Sequence, residues 1–179
     1  GCPHRGVFYV LSKLKLNVLG DIGCYTLGAV PPLGSMDAVV CMGASVGMAI
    51  GFDKADSEAH KHSVAVIGDS TFIHSGITGL IDAVYNKSHI TVVILDNRTT
   101  GMTGHQNHPA TGKTIKNEPT YELDLEQVCR AVGVPNVRTI DPNDLSAMEA
   151  ALKEELAKEE VSVIIAKRPC VLLTKKLYN

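Results

Sequence analysis

The sequence lacks three features that would direct it to particular partners. Its 17 basic and 19 acidic residues give a net charge of −2, so it has no surplus of positive charge for a phosphate backbone, and no nucleic-acid partner is expected. No apolar run is long enough to span a bilayer, so no membrane partner is expected either. The first residues also lack the charged and apolar regions of a signal peptide. A water-soluble domain is therefore predicted.

The cysteines do not form the closely spaced pairs of a disulfide framework. They are odd in number, namely Cys2, Cys24, Cys41, Cys129 and Cys170. Reduced thiols and a cytoplasmic location are therefore expected rather than secretion. Two of them lie among valines, Cys41 after Val39-Val40 and Cys129 on a predicted helix, and both are predicted to be small core residues.

The length of 179 residues suits one α/β domain. Because the chain begins with GCPHRG and not with methionine, we expect it to be a fragment of a longer subunit. Helical and strand patterns alternate along it, which predicts a doubly wound, mostly parallel sheet flanked by helices. Helices are predicted at 5–16, 43–55, 71–85, 124–133 and 144–159. Strands are predicted at 17–23, 63–69, 91–97, 136–141 and 161–169.

Polar pairs follow two successive predicted strands. Gly68-Asp69 ends one strand and Asp96-Asn97 ends the next, and parallel pairing brings both pairs to one edge of the sheet. Carboxylate and amide oxygens suit Mg²⁺, and a helix that begins near Thr71 favours a diphosphate beside the metal. Gly68 would let that ligand approach the backbone. A simple helix cap remains an alternative for Asp69, and an ordinary turn remains one for Asp96-Asn97.

The order Gly68-Asp69-Ser70 and then Asp96-Asn97 resembles the thiamine diphosphate signature, in which Gly-Asp-Gly is followed by Asn. Ser70 departs from the usual glycine but removes no ligand. Three further segments, GCPHRG, GDIGCYTLG and GMTGHQNHPATG, resemble elements of the 2-oxoacid:ferredoxin oxidoreductases. Within that family the chain is most similar to the α subunit of the indolepyruvate type, and the resemblance covers nearly the whole chain as a single thiamine diphosphate-binding (pyrophosphate) domain.

The resemblance implies a set of site residues. Asp69, Asn97 and the carbonyl of Thr99 would hold Mg²⁺. A [4Fe–4S] cluster would use Cys2, Cys24 and Cys170, with a fourth cysteine that would precede Gly1. The residues implied to bind the cofactor are Asp21, Gly23, Cys24, Tyr25, Gly68, Asp69, Ser70, Thr71, Asn97, Gly101, Met102, Thr103 and Gly104. No catalytic side chain is assigned.

The implied activity is oxidative decarboxylation of an aryl 2-oxo acid to an acyl-CoA, with ferredoxin as electron acceptor. The implied partners are a pyrimidine-binding domain, a second subunit, ferredoxin, the 2-oxo acid and coenzyme A. Without the pyrimidine-binding domain, this domain alone should be inactive. Two alternatives stay open: the pyrophosphate domain of a non-redox thiamine diphosphate decarboxylase or synthase, and a non-catalytic nucleotide- or metal-binding module.

The remaining polar clusters have simpler interpretations. His105 and His108 lie three residues apart in a loop and are expected to contact substrate or solvent. His60, His62 and His89 flank strands in polar segments and are expected at the surface. The Glu- and Lys-rich segment 153–160 is interpreted as a solvated helix face, with Glu154 and Lys158 spaced for an ion pair.

Overall fold

The computed structural model describes residues 1–175 and contains a six-stranded sheet in which every adjacent pair is parallel. The strand order is β2-β1-β3-β4-β6-β5. The strands are β1 (Asn17–Gly20), β2 (Ala38–Val39), β3 (Ser63–Gly68), β4 (Thr91–Asp96), β5 (Asn136–Ile140) and β6 (Ser162–Lys167). The predicted doubly wound α/β fold is confirmed.

Helices cover both faces of the sheet. They are α1 (Arg5–Lys13), α2 (Ala44–Ala55), α3 (Asp69–Thr71), α4 (Ile77–Tyr85), α5 (Leu125–Ala131), α6 (Leu145–Leu156) and α7 (Val171–Lys175). Successive residues of a strand point to opposite faces. Ile67 and Ile94 accordingly pack in one core with α2, α4 and α5, while Val66 and Val93 pack in a second core with α1 and α6. Because both faces of β3 and β4 are buried, the sequences of these strands are almost continuously apolar.

The helix that follows β3 differs from its predicted form. It begins at Asp69 instead of Thr71, and a π-helical segment, Phe72–Gly76, joins α3 to α4. Gly43, in the left-handed region at φ 87°, approaches this segment so closely that a Cβ there would lie 2.6 Å from the Ser75 hydroxyl oxygen. The N-terminus of α2 therefore packs directly on the segment that leads away from the candidate site.

Two short elements were not predicted. The two-residue strand β2 pairs with Leu19 and Gly20 of β1 at the sheet edge, and α7 follows β6. Both are too short for a periodic pattern. Residue Asp37, directly before β2, uses its carboxylate to accept a hydrogen bond from the Val18 N–H at 2.7 Å, which helps to hold β2 beside β1.

Three burial predictions are wrong. Cys41 is exposed, because it follows the edge strand β2 rather than lying under a helix. His60 is only 4% exposed, and Glu155, inside the supposedly solvated segment, is 1% exposed and paired with Arg138 and Lys158. Cys129 is fully buried, as predicted. In residues 1–175, none of the helices has the length and apolar character needed to cross a membrane.

Candidate functional site

The ends of β3 and β4 bring the predicted polar pairs together. Gly68 is opposite Leu95 in the sheet register, so Asp69 and Asp96 leave the sheet side by side. A crossover helix returns the chain to the same edge, as parallel pairing requires. The carboxyl edge of the sheet, meaning the edge at which β3 and β4 end, is therefore where the candidate site forms.

Asp69 connects the start of α3 to the loop that follows β4. Its carboxylate is 2% exposed. One oxygen accepts the Ser70 N–H at 2.8 Å, and the other accepts the Arg98 N–H at 2.9 Å and lies 3.1 Å from His108 Nε2. The N-cap residue is Gly68, which makes no side-chain cap, and two of the three partners of Asp69 belong to Arg98 and His108, outside α3. A carboxylate offers about four lone-pair directions, of which these three donors use three, and the Asp96 carboxylate also lies within hydrogen-bond reach of Asp69.

His108 is a contact that sequence reasoning missed. Its Nδ1 accepts the Ala110 N–H at 3.3 Å, so Nε2 carries the proton and donates to Asp69. The ring is 8% exposed, and Pro109 begins a short 3₁₀ turn directly after it. The available signal was the HPAT segment, in which a histidine precedes a turn-forming proline. His108 orients the Asp69 carboxylate, whereas it was expected to contact substrate or solvent.

Asp96 adds a second buried carboxylate beside Asp69. Burial, together with the nearby charge of Asp69, raises the pKa of Asp96 above its usual range, while Arg98 opposes this shift. The Arg98 guanidinium lies 3.7 Å from the Asp96 carboxylate and also pairs with Glu122. Asp69 and Asp96 are therefore two neighbouring buried carboxylates, of which, within residues 1–175, only Asp96 lies near a guanidinium, and such a pair forms an environment that stabilises an added cation.

Asn97 and Ser70 position the loop after β4. The Asn97 side-chain oxygen accepts the Thr99 N–H at 3.0 Å, and the Thr100 hydroxyl donates to Ser70 Oγ at 2.9 Å. Ser70, which replaces the usual glycine of the signature, thus ties this loop to the start of α3. Asp69, Asn97 and Thr99 all line the same cavity, and carboxylate, amide and carbonyl oxygens are the donor type that Mg²⁺ prefers.

A cavity of about 670 Å³ opens beside these residues. Its lining is mostly apolar, which suits a largely buried organic ligand. Most of the predicted site residues line it, namely Cys2, Gly23, Cys24, Tyr25, Gly68, Asp69, Ser70, Thr71, Asn97, Thr99, Gly101, Met102, Thr103 and Cys170. Asp21 and Gly104 are the predicted residues that lie outside the lining.

Asp21 supports the cavity wall from beneath. It is fully buried. Its carboxylate accepts hydrogen bonds from the Tyr25 hydroxyl, from the Ser45 hydroxyl at 2.9 Å and from the Gly43 N–H at 3.0 Å. Burial raises the pKa of the Asp21 carboxyl despite these donors. The Tyr25 ring lies where a Cβ on Gly68 would be, at 2.6 Å. Gly68 is therefore needed for packing against Tyr25.

Gly101 keeps part of the cavity open. A Cβ at this position would lie 2.9 Å from Cys24 Sγ and 3.7 Å from the Asn97 amide nitrogen. Any larger residue would therefore intrude between the Cys24 loop and the end of β4. Such a close approach of backbone to neighbouring groups is a common use of glycine at ligand sites.

Three cysteines from distant parts of the sequence reach this cavity. Cys2 and Cys24 are exposed and Cys170 is half-buried. Burial, with smaller effects from the thiols of Cys170 and Cys2, raises the pKa of the Cys24 thiol. The Cys170 N–H donates to the Asn97 carbonyl at 2.9 Å, which ties this cysteine to the end of β4. Three thiols thus face the same space as the oxygen donors.

Solved structures with the same fold include enzymes that act on 2-oxo acids. The 2-oxoglutarate:ferredoxin oxidoreductase from Magnetococcus marinus is 17% identical, with a TM-score of 0.80 over 95% of this chain and 62% of that chain. Benzoylformate decarboxylase from Polynucleobacter necessarius is 20% identical, with a TM-score of 0.64 over 93% of this chain and 33% of that chain. At these identities the likeness concerns the fold.

Curated relatives are closer in sequence. The indolepyruvate oxidoreductase subunit IorA of Archaeoglobus fulgidus is 44% identical over 179 residues, which cover 97% of this chain and 28% of the relative. The subunit of the same name from Methanothermobacter thermautotrophicus is 41% identical over 181 residues, 96% of this chain and 29% of the relative. This chain therefore spans less than a third of the relatives it matches.

A family model agrees with the geometry described above. The model described as "Thiamine pyrophosphate enzyme, C-terminal TPP binding domain" matches residues 21–166. That range contains the Gly68-Asp69 strand end, Asn97 and the loop that carries His108, and it covers most of the chain. The chain belongs to the family of C-terminal thiamine pyrophosphate-binding domains of thiamine pyrophosphate enzymes.

Proposed function

We propose that this chain binds thiamine diphosphate with Mg²⁺ and forms part of an oxidoreductase that decarboxylates aryl 2-oxo acids, of the indolepyruvate type, to acyl-CoA. The observation that carries the proposal is the Asp69 carboxylate. It is buried at the carboxyl edge of the sheet, lines the cavity, and is held by two backbone N–H groups and His108 beside the second buried carboxylate, Asp96. A structural cap needs no such arrangement.

Different residues of the chain would bind the metal, the diphosphate and the rest of the cofactor. Asp69, Asn97 and the Thr99 carbonyl would hold Mg²⁺, and the first N–H groups after Gly68 would donate hydrogen bonds to the diphosphate. Gly101, Met102 and Thr103 would close over the cofactor from the loop after β4. Gly23, Cys24 and Tyr25 would flank the cofactor. Asp21 and Gly104 lie outside the cavity lining, and Asp21 would contribute by accepting the hydrogen bond that holds Tyr25 in place.

The reaction chemistry belongs to the cofactor. When bound, thiamine diphosphate supplies the carbon nucleophile and electron sink that decarboxylation of a 2-oxo acid needs. The chain's contribution is to hold the diphosphate through the metal, to orient Asp69 through His108, and to exclude water with an apolar lining. No side chain of this chain is assigned as a proton donor or acceptor.

Electron transfer to ferredoxin requires a further redox centre. We propose that Cys2, Cys24 and Cys170 supply three thiolates to a [4Fe–4S] cluster, with the fourth from elsewhere in the longer protein. Their common position on the cavity supports this proposal, since iron–sulfur clusters use thiolate ligands. Free cysteines throughout the chain also fit a reducing, cytoplasmic setting.

A partner domain is expected over the mouth of the cavity. Five apolar side chains that line it are between 43% and 66% exposed. They are Leu27, Val30, Met42, Met102 and Leu172. An exposed apolar rim around a binding cavity is typical of a surface that another domain covers. We propose that a pyrimidine-binding domain and the second subunit occupy this face, and that the isolated chain is inactive.

The test uses the complete protein with its partner subunit. Addition of indolepyruvate and coenzyme A should reduce ferredoxin and form an acyl-CoA, and iron and sulfide analysis should find four of each per cluster. Asp69→Ala should abolish ferredoxin reduction, whereas the exposed Asp82→Ala on α4 should not change it. Release of an aldehyde with no ferredoxin reduction, from protein without iron, would contradict the redox proposal and favour a non-redox decarboxylase.

A further inference from the structure

A second cluster of ligand-type side chains lies at the amino edge of the sheet, the edge at which β3 and β4 begin. Asp53 is near the end of α2, His60 lies in the 3₁₀ turn Ala59–Lys61 just before β3, and His89 lies two residues before β4. One ligand atom from each of the three side chains lies within 4.8 Å of the others. This amino-edge cluster is separate from the cavity residues at the opposite edge.

The cluster is mostly enclosed. Asp53 is 8% and His60 is 4% exposed, while the His89 side chain is 35% exposed. The two imidazole rings are 5.5 Å apart at an interplanar angle of 79°, so the rings meet edge to face and do not stack. The cluster is closed on the protein side and open to solvent beside His89.

His60 has a buried nitrogen that lacks a partner. Its Nδ1 lies 2.8 Å from the Ser57 carbonyl oxygen, which can only accept, so Nδ1 carries the proton and Nε2 presents a lone pair. Nε2 is fully buried and makes no hydrogen bond within residues 1–175. A buried polar atom without a partner is costly and calls for a bound water or ion. Histidines that bind metals are commonly oriented by this kind of bond from the other ring nitrogen.

Asp53 supplies the negative charge. One of its oxygens lies 3.1 Å from Lys54 Nζ, and the other lies 3.8 Å from His89 Nδ1. The second distance is long for a hydrogen bond, so this oxygen remains available to a ligand between Asp53 and His89. Lys54 also donates to the Asn86 carbonyl at 3.1 Å, which holds it at the side of the cluster.

We propose that Asp53, His60 and His89 form a binding site for a divalent transition metal of the zinc class. Two imidazole nitrogens and one carboxylate oxygen are a common protein ligand set for Zn²⁺, with water at the open position beside His89. Imidazole ligands select such ions over Mg²⁺, which prefers oxygen. The ion would join the end of α2 to the segments that precede β3 and β4, and so stabilise the edge of the sheet remote from the cofactor cavity.

The experiment is a titration of the full chain with Co²⁺, an absorbing substitute for Zn²⁺, in excess Mg²⁺. Wild type and the exposed control His62→Ala should both bind one Co²⁺ with visible bands but without a thiolate charge-transfer band. His89→Ala, at a partly exposed position that should not disturb folding, should weaken Co²⁺ binding more than about 100-fold, since even groups that only orient a ligand contribute about 10–100-fold. Zn²⁺ should raise the thermal midpoint of wild type and of His62→Ala, but not of His89→Ala.

Equal Co²⁺ affinity in wild type and His89→Ala would overturn the proposal. So would a band dominated by thiolate charge transfer, which would assign the ion to the cysteines. A chain that takes up no Co²⁺ at all would mean that a water molecule satisfies His60 Nε2. None of these outcomes depends on whether thiamine diphosphate binds at the opposite edge.

Discussion

The two edges of the parallel sheet gather different donor atoms. At the carboxyl edge, Asp69, Asn97 and the Thr99 backbone offer oxygen, and the thiols of Cys2, Cys24 and Cys170 lie nearby. At the amino edge, His60 and His89 offer nitrogen beside a single carboxylate. Oxygen suits Mg²⁺ and imidazole suits Zn²⁺. We therefore propose that the same sheet binds two kinds of ion, each at the edge that offers its preferred donor atoms.

The two edges also differ in what surrounds them. The carboxyl edge has long connections and an apolar cavity, whereas the amino edge has short turns that bring α2 and two strand starts together. In open α/β sheets, ligands bind outside the carboxyl ends of the strands. The carboxyl edge is therefore suited to a reacting ligand, and the amino edge is suited to a structural ion.

The largest expected effect is that one substitution at each edge strongly weakens ligand binding at that edge and leaves binding at the other edge intact. Asp69→Ala should weaken Mg²⁺-dependent thiamine diphosphate binding by about 30-fold or more, because loss of one buried charged partner costs about 2–5 kcal/mol. It should leave Co²⁺ binding at the amino edge unchanged, and His89→Ala should do the reverse. Calorimetry measures the first and absorption the second. Asp69→Asn keeps the side-chain shape and therefore separates the effect of the lost charge from misfolding. Loss of binding at both edges in Asp69→Ala and also in His89→Ala would contradict the independence of the two edges.

A smaller effect is expected from the residue that orients Asp69. His108→Asn should weaken Mg²⁺ binding by about tenfold, at the low end of the 10–100-fold range for groups that position a metal ligand. The exposed His74→Asn, on the π-helical segment, is the matched control. Mg²⁺-concentration dependence of cofactor binding gives the readout. Unchanged Mg²⁺ dependence in His108→Asn would show that the hydrogen bond to Asp69 is dispensable.

Gly101→Ala tests whether the cavity needs its glycine. The added methyl must displace Cys24 Sγ, and such overpacking costs about 1 kcal/mol, close to fivefold in cofactor affinity. Gly47→Ala is the control, because no atom lies within 4 Å of a Cβ at that exposed helical position. It should stabilise the fold by about 0.5–1 kcal/mol in denaturant titrations and leave affinity unchanged. Equal cofactor affinity in both variants would contradict a tight cavity at Gly101.

The smallest expected effect concerns the positive charge beside the amino-edge cluster. Lys54→Met removes a half-exposed ammonium 3.1 Å from the Asp53 carboxylate. Because exposed ion pairs are worth only about 0.2–1 kcal/mol, Co²⁺ affinity should rise by about threefold. Lys87→Met, at an exposed position near the end of α4, should leave it unchanged. A fall in Co²⁺ affinity in Lys54→Met would mean that Lys54 positions Asp53 and does not repel the ion.

The carboxyl edge could be predicted from sequence because local patterns define it. The apolar runs of β3 and β4 end in Gly68-Asp69 and Asp96-Asn97, and parallel pairing converts these two local signals into one site. The fold followed from the same alternation of helices and strands. The family resemblance then added residues 101–104 of the loop after β4, of which Gly101, Met102 and Thr103 line the cavity.

The amino edge could not be predicted in this way. His60 was assigned to the surface because its neighbours are polar, yet the turn before β3 directs its ring inward, where Ser57 holds it. His108 gave only a weak signal because its partner Asp69 is 39 residues away. Burial of an isolated polar residue depends on tertiary packing, which periodicity does not report. Edge strand β2 could not be predicted for a related reason, since a strand of two residues is too short to show a periodic pattern.

The most direct test of the central claim is calorimetric titration of thiamine diphosphate into the complete protein with and without Mg²⁺. We predict one cofactor per chain in the presence of Mg²⁺, little binding after chelation of the metal, and no Mg²⁺ effect in Asp69→Ala. Thiamine diphosphate binding of equal strength in wild type and Asp69→Ala, with or without Mg²⁺, would contradict the account.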